Sequence, residues 1–94
     1  MKIEGIIWID EILEKIIRKH NVQQHEVREV LTHKPRFRFV EKGHRSGENV
    51  YAAMGRTDGG RYLIVFFVYK SENRALILSA RDMTHNERRL YGQK

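Results

Sequence analysis

The sequence predicts an α+β domain: an antiparallel sheet with two N-terminal helices on one face and a short C-terminal helix, in the order β-α-α-β-β-β-β-α. Three observations carry this reading. Apolar residues recur at helical spacing in the first third of the chain and at extended spacing after Pro35. Turn chemistry divides the remainder into runs of strand length. A capping signature near the end opens one more helix. With 94 residues, 40% of them hydrophobic, the chain suits one small core, so residues 1–94 are expected to form a single domain.

Ile3 to Trp8 reads as a short first strand. Asp10 is a favourable N-cap, and Glu11 and Glu14 suit the positive end of the helix dipole. Ile12, Leu13, Ile16 and Ile17 then form one apolar stripe. Arg18, Lys19 and His20 crowd the last turn, where cations are favoured, and Asn21 tolerates the left-handed conformation that ends helices. A second helix begins near Gln23, a poor capping residue, and shows Val27, Val30 and Leu31 on its apolar face. Pro35 ends it, because the residue before proline avoids the helical region.

From Arg36 the period becomes two. Arg36, Arg38 and Val40 alternate with Phe37, Phe39 and Glu41. Gly43 to Gly47 is a turn-rich loop, Val50 to Arg56 a strand, and Thr57-Asp58-Gly59-Gly60 a strong hairpin signal. Tyr62 to Tyr69 is unbroken aromatic and aliphatic sequence, as expected of a central strand covered on both faces. Lys70-Ser71-Glu72-Asn73 turns the chain into a last strand, Arg74 to Arg81. Thr84 and Glu87 then form a capping box, so a final helix runs from about Thr84 through Tyr91. Successive strands joined by tight turns imply an antiparallel meander, and the two N-terminal helices would cover one face of it as a second layer.

Composition excludes several kinds of chemistry. The chain has no cysteine, which removes disulfides, thiolate nucleophiles and Cys-based zinc sites and fits a reducing compartment. No pair among His20, His25, His33, His44 and His85 stands at i,i+3 or i,i+4, so no metal or other cofactor is expected. Gly55, Gly59 and Gly60 lie in a hairpin with no lysine-serine pair after them, unlike a phosphate loop. Ser46, Ser71 and Ser79 occupy no nucleophile-elbow context. The N-terminus lacks a signal-peptide pattern and no apolar run approaches the ~20 residues needed to span a bilayer, so a cytoplasmic protein is expected.

Charge is the informative feature. Residues 1–34 hold six Lys/Arg and six Asp/Glu and are neutral. Residues 35–94 hold twelve Lys/Arg against six Asp/Glu and carry the whole net charge of +6. Such a face concentrates phosphate and speeds encounter with nucleic acid; it would equally dock an acidic protein. Arg56 and Arg61 flank the hairpin turn and should lie close together. Arg81 ends the next strand and should come near them. Arg88, Arg89 and Tyr91 follow on the last helix. Metal-free RNA cleavage uses the neighbouring 2′-hydroxyl as nucleophile and needs a base, a donor for the leaving oxygen and cations around the phosphate. Arginine supplies a rigid fork of donors for phosphate, and histidine or tyrosine can move the proton. Taken singly, each of these residues also has an ordinary role: strand-end solvation for the arginines, a helix-end cation for His20, packing for Tyr91. Phe37 and Phe39, interleaved with Arg36 and Arg38, are the right type to stack bases, but packing within the sheet is the favoured reading.

Six segments together resemble a known family. Trp8-Ile9-Asp10, Lys19-His20-Asn21-Val22, Gly55-Arg56-Thr57, Arg61, Leu78-Ser79-Ala80-Arg81 and Glu87-Arg88-Arg89-Leu90-Tyr91 occur in order. They are similar to the W-D start, K-H-G-V helix end, G-R strand end, I-S-A-R strand and E-R-R-x-Y tail of BrnT-type toxins. The chain departs from that pattern with Asn21 for Gly, Gln23-Gln24 for Ser-Phe, and Ile16 where Asn is common. The resemblance implies a fold like RelE-type endoribonucleases and inhibition of translation by RNA cleavage. It also implies neutralisation by a cognate antitoxin, expected to be a small ribbon-helix-helix protein, with DNA contacted only indirectly through the antitoxin complex. On this reading Arg56, Arg81, Arg88, His20 and Tyr91 are the catalytic candidates. Lys19, Arg61, Arg89, Arg36 and Arg38 are the RNA-binding candidates. The alternative is a non-catalytic module that binds RNA or protein.

Overall fold

The computed structural model describes residues 1–45 and 47–93. Ser46 and Lys94 lie outside the described residues. The elements are β1 (Gly5–Ile7), α1 (Asp10–His20), α2 (Gln24–Thr32), β2 (Arg36–Glu41), β3 (Val50–Arg56), β4 (Tyr62–Lys70), β5 (Arg74–Asp82) and α3 (His85–Gly92), with a single 3-10 turn at Ser71–Asn73. This is the predicted α+β order. The strands form one sheet in the order β1-β5-β4-β3-β2. β2 to β5 make the antiparallel meander that the turn spacing requires. β1 instead pairs parallel with β5, Gly5 opposite Arg74 and Ile7 opposite Leu76, so the sheet is mixed. The two helices between β1 and the meander provide the long crossover that a parallel pairing needs.

Several element ends differ in detail from the sequence reading. Ile9, not Asp10, holds the cap position of α1, and no side chain caps it. Asp10 lies one residue later, in the first turn, where its charge still meets the exposed N–H groups. Asn21 adopts φ 52° and ends the helix as expected. The start of α2 is better satisfied than glutamine's own capping rank implies, because the Glu26 carboxylate accepts from the Gln23 N–H at 2.9 Å. Lys34 takes φ 50° ahead of Pro35, which turns the chain out of α2 into β2.

Register assigns the sheet's two faces, since residues directly opposite one another in an antiparallel pair share a face. One face carries Ala53, Leu63, Val65, Phe67, Ile77 and Ala80 against Ile16 of α1 and Val27, Val30 and Leu31 of α2. Ile16 is 2% exposed, so this departure from the family pattern adds to the core. A Cβ on Gly55 would stand 3.1 Å from Val30 Cγ1, and α2 uses that bare backbone to approach β3 closely. The opposite face holds a smaller cluster of Ala52, Met54, Ile64 and Met83, bordered by Tyr62, Phe66 and Tyr91. β4 is therefore covered on both faces, as its sequence predicts. Phe37 packs edge-on against Phe67, while Phe39, 56% exposed, meets Tyr51 at the margin. Among the described residues no helix is long and apolar enough to cross a membrane.

Candidate nucleic-acid interface

The smaller apolar face is ringed by cations. Arg36 lies opposite Met54 and Arg38 opposite Ala52. Arg56 lies opposite Tyr62, and Arg81 opposite Ile64. Four arginines from three strands thus project from the same side of the sheet, and α3 delivers Arg88 and Tyr91 onto that side. A strand period of two accounts for this: Arg36, Arg38 and Arg56 all fall in phase with Ala52 and Met54 once the β2–β3 register is set.

At the centre is Tyr62. The Arg88 guanidinium carbon sits 4.1 Å from its ring centroid and that of Arg56 5.3 Å. Tyr91 meets the same ring edge-on, with centroids 6.0 Å apart. The aromatic face stabilises both cations and holds them near one another without neutralising either. The hairpin contributes as well. Gly60 has φ 89°, a conformation that favours glycine, and a Cβ there would come within 3.2 Å of Arg56 Nη2, so the bare backbone gives the guanidinium room beside the turn.

Arg81 approaches the Phe66 ring, 5.4 Å from its centroid, and is bound end-on by a carboxylate. Its Nη1 and Nη2 donate to Glu87 Oε1 and Oε2 at 2.7 and 2.9 Å. Glu87 also accepts from the Thr84 N–H, closing the predicted capping box. The Arg81 hydrogen bonds, followed by the Thr84 N–H, hold the Glu87 carboxyl at about 2, against an ordinary 4.5. The folded protein thus binds this proton less tightly than the unfolded chain. The pair stabilises fully above about pH 4.5, and that contribution is lost as the pH falls towards 2. With Glu87 18% exposed and Arg81 32% exposed, solvent screening leaves about 2 kcal/mol. Glu87→Gln is expected to flatten the decline of thermal stability over that acid window, read by circular dichroism at a series of pH values. An unchanged slope would remove the pair from the acid response.

The remaining candidates divide. Arg36 turns its Nη1 to the carbonyls of Leu90 and Tyr91 at 2.7 and 3.1 Å and also to that of Gln93, capping the C-terminal end of α3. Its role is to fasten α3 to the sheet's edge strand. Arg38 is exposed on the cationic face. Arg89 lies exposed on α3 and donates to Asn86 Oδ1 at 3.3 Å. Arg61 is adjacent in sequence to Tyr62 but points to the helical side. It donates to both oxygens of Asp82 at 2.8 and 3.1 Å, to Glu26 at 3.2 Å, and to the carbonyls of His20 and Asn21. Those contacts join α1, α2 and β5. The bond to Asp82 raises its pKa still further, so it is a permanent cation. Lys19 and His20 end α1 on that helical side, beside the Asp82 carboxyl, which the Arg61 hydrogen bonds hold below its ordinary range. The face therefore gathers Arg56, Arg81, Arg88 and Tyr91 from the catalytic candidates and leaves His20 with the Arg61–Asp82 pair. Sequence reasoning did not single out Tyr62 or the carboxylate partner of Arg81. The one available signal for Tyr62 was an aromatic directly after Arg61, in phase with Arg56 across a two-sided hairpin.

Residues 8–87 match the family described as the ribonuclease toxin BrnT of type II toxin–antitoxin systems. The chain belongs to this family. Its fold is similar to that of the Brucella abortus ribonuclease toxin BrnT, known from a 1.1 Å crystal structure, with a TM-score of 0.62 and 17% sequence identity. That likeness covers 86% of this chain and 97% of the Brucella protein. Among curated proteins none matches. Membership in the BrnT family gives the cationic face its context, because a ribonuclease toxin must hold a polyanion and also meets a cognate antitoxin. In this BrnT-family chain the Tyr62 cluster draws two guanidinium groups over one ring.

Proposed function

We propose that the α3-side face cleaves RNA internally without a metal ion, and that this inhibits translation until a cognate antitoxin neutralises the protein. The observation that carries the reading is the convergence of Arg56, Arg88 and Tyr91 on Tyr62, with Arg81 on the same face. Residues 1–94 act as one domain, in the cytoplasm, where messenger RNA is found. The antitoxin is of the small ribbon-helix-helix type, and DNA is met only through the complex with it.

The chemistry follows from the groups present. The 2′-hydroxyl oxygen attacks phosphorus, the bond to the 5′-oxygen breaks, and the products are a 2′,3′-cyclic phosphate and a free 5′-hydroxyl. Charge accumulates on the non-bridging oxygens during the attack. Arg56, Arg81 and Arg88 stabilise it as cations held in position by the Tyr62 and Phe66 rings. The Tyr91 phenol is the proton donor for the leaving oxygen, and water takes the proton of the attacking hydroxyl. Arg38 and Arg89 bind flanking phosphates, and Lys19 extends the path around the sheet end.

The test is cleavage of a labelled messenger transcript by the purified chain in excess EDTA. Cyclic-phosphate ends that persist in EDTA, together with growth arrest when the chain is expressed alone, are the expected result. Folded protein that binds the transcript without cutting it would overturn the catalytic reading in favour of a binding module. Cleavage that stops in EDTA would overturn the metal-free chemistry.

A further inference from the structure

We propose that Glu87 is a positioning residue for catalysis, which sets the edge of Arg81 that meets the phosphate. The inference rests on the reading of Arg81 as a transition-state cation. It follows from counting donors. A guanidinium carries five N–H groups in a rigid plane. Glu87 takes the end of the plane, one hydrogen on Nη1 and one on Nη2. The carbonyl of Asp82 accepts from Nη1 at 3.2 Å. What remains is the Nε–H and the second Nη2 hydrogen, which lie side by side along one edge and are spaced for two oxygens of one phosphate.

Glu87 therefore acts as more than a neutralising partner. It holds the plane at one angle about the Arg81 side chain, with the Phe66 ring beside it, and leaves the Nε–Nη2 edge as the one remaining fork. The same carboxylate is fixed in turn, because its Oε1 accepts from the Thr84 N–H at the start of α3. The chain Thr84 N–H, Glu87, Arg81 is a relay of orientation, each group held by the one before. The carboxyl stays ionised throughout the neutral range, so the arrangement is constant under working conditions. An unanchored arginine would sample several orientations, and misplacement of a catalytic group by about 1 Å can cost on the order of 100-fold in rate.

A capping box accepts glutamine as readily as glutamate, and this separates the two jobs of Glu87. Glu87→Gln keeps the helix cap and removes the bidentate carboxylate. Thr84→Ala removes the side-chain half of the cap and leaves the carboxylate on Arg81. Both variants and the parent chain are compared on a labelled messenger transcript, with kcat and KM determined separately and thermal unfolding followed in parallel. For Glu87→Gln the expected result is a fall in kcat of about 10- to 100-fold with no rise in KM. Thr84→Ala keeps the backbone N–H that fixes Glu87, so it is expected to lower the unfolding temperature more than Glu87→Gln does and kcat several-fold less. Equal loss of kcat in both variants, or loss that follows unfolding temperature, would make Glu87 merely a helix anchor and overturn the proposal. A Glu87→Gln chain with the parent's kcat would overturn it as well. If Arg81→Ala itself retains activity, the assignment of the site fails; if Arg81→Ala is inactive and Glu87→Gln is not, only the positioning role fails.

Discussion

Arg61→Ala is expected to be the most damaging of the arginine substitutions for the fold, costing about 2 kcal/mol and lowering the unfolding temperature by roughly 10 °C. The side chain is 25% exposed and serves five acceptors from three elements. Two are the carbonyls of His20 and Asn21 at the end of α1, which no longer have partners within the helix. A third is Glu26, 16% exposed, whose other contact is the Gln23 N–H at the start of α2. The fourth and fifth are the oxygens of Asp82 at the end of β5. Truncation leaves the part-buried Glu26 carboxylate without its cation, while Asp82, 61% exposed, and the two carbonyls turn to water, so the loss comes mainly from Glu26 and from untying the three elements. Arg61→Lys restores the charge but not the fork, so it should recover less than half of the loss. Arg56→Ala provides the contrast, since that guanidinium is held by an aromatic ring and its removal should shift the unfolding temperature by only a few degrees. Thermal unfolding of the three variants by circular dichroism measures both effects. An Arg61→Ala chain as stable as Arg56→Ala would show that the network contributes little.

The difference between Arg56 and Arg61 also marks how far the sequence could be read. Element order followed from periodicity and turn residues, because the period of two against 3.6 and the Thr57–Gly60 turn are local properties. Register of the hairpin was equally local: with Thr57 N–H bonded to the Arg61 carbonyl at 2.8 Å, Arg56 must oppose Tyr62. Where β1 would pair was not local, as a three-residue strand fits either edge of a meander. The fate of each arginine was not local either. Arg56 and Arg61 flank the same turn at similar distance and look equivalent in one dimension. They differ by one in strand parity, which sends Arg56 to the α3 face and Arg61 to the face where α1 and α2 end. The partners that decide their roles, Asp82 and Glu26 for one and Tyr62 for the other, lie up to 35 positions away in sequence. Arg36 shows the same limit, since its acceptors are carbonyls more than 50 positions along the chain. The carboxylate of Glu87 was legible as a cap and silent as a partner for Arg81, because the cap is a contact three positions away within one helix turn, whereas the Arg81 pair depends on how α3 folds back onto β5.

Arg81→Ala is the substitution expected to affect activity most, lowering the rate of transcript cleavage by about 100- to 1,000-fold, in line with removal of one preorganised donor to a developing oxyanion. The loss should appear in kcat, because Arg38, Arg56, Arg88 and Arg89 remain to bind the ground-state polyanion, and their phosphate contacts dominate affinity. Arg38→Ala should do the reverse. It is exposed, lies on the same face and is assigned to a flanking phosphate, so its removal should raise KM and shallow the salt dependence of binding while kcat changes little. The fold should tolerate Arg81→Ala. The residue lies next to the last in β5 with a third of its side chain exposed, its Ile64 register neighbour stays in the smaller core, and Glu87 keeps the Thr84 N–H. A circular dichroism spectrum matching the parent's, combined with a stopped reaction, separates this outcome from unfolding. If the Arg81→Ala chain cuts the transcript at the parent's rate, the cationic face is a binding surface and the bond-breaking group lies elsewhere.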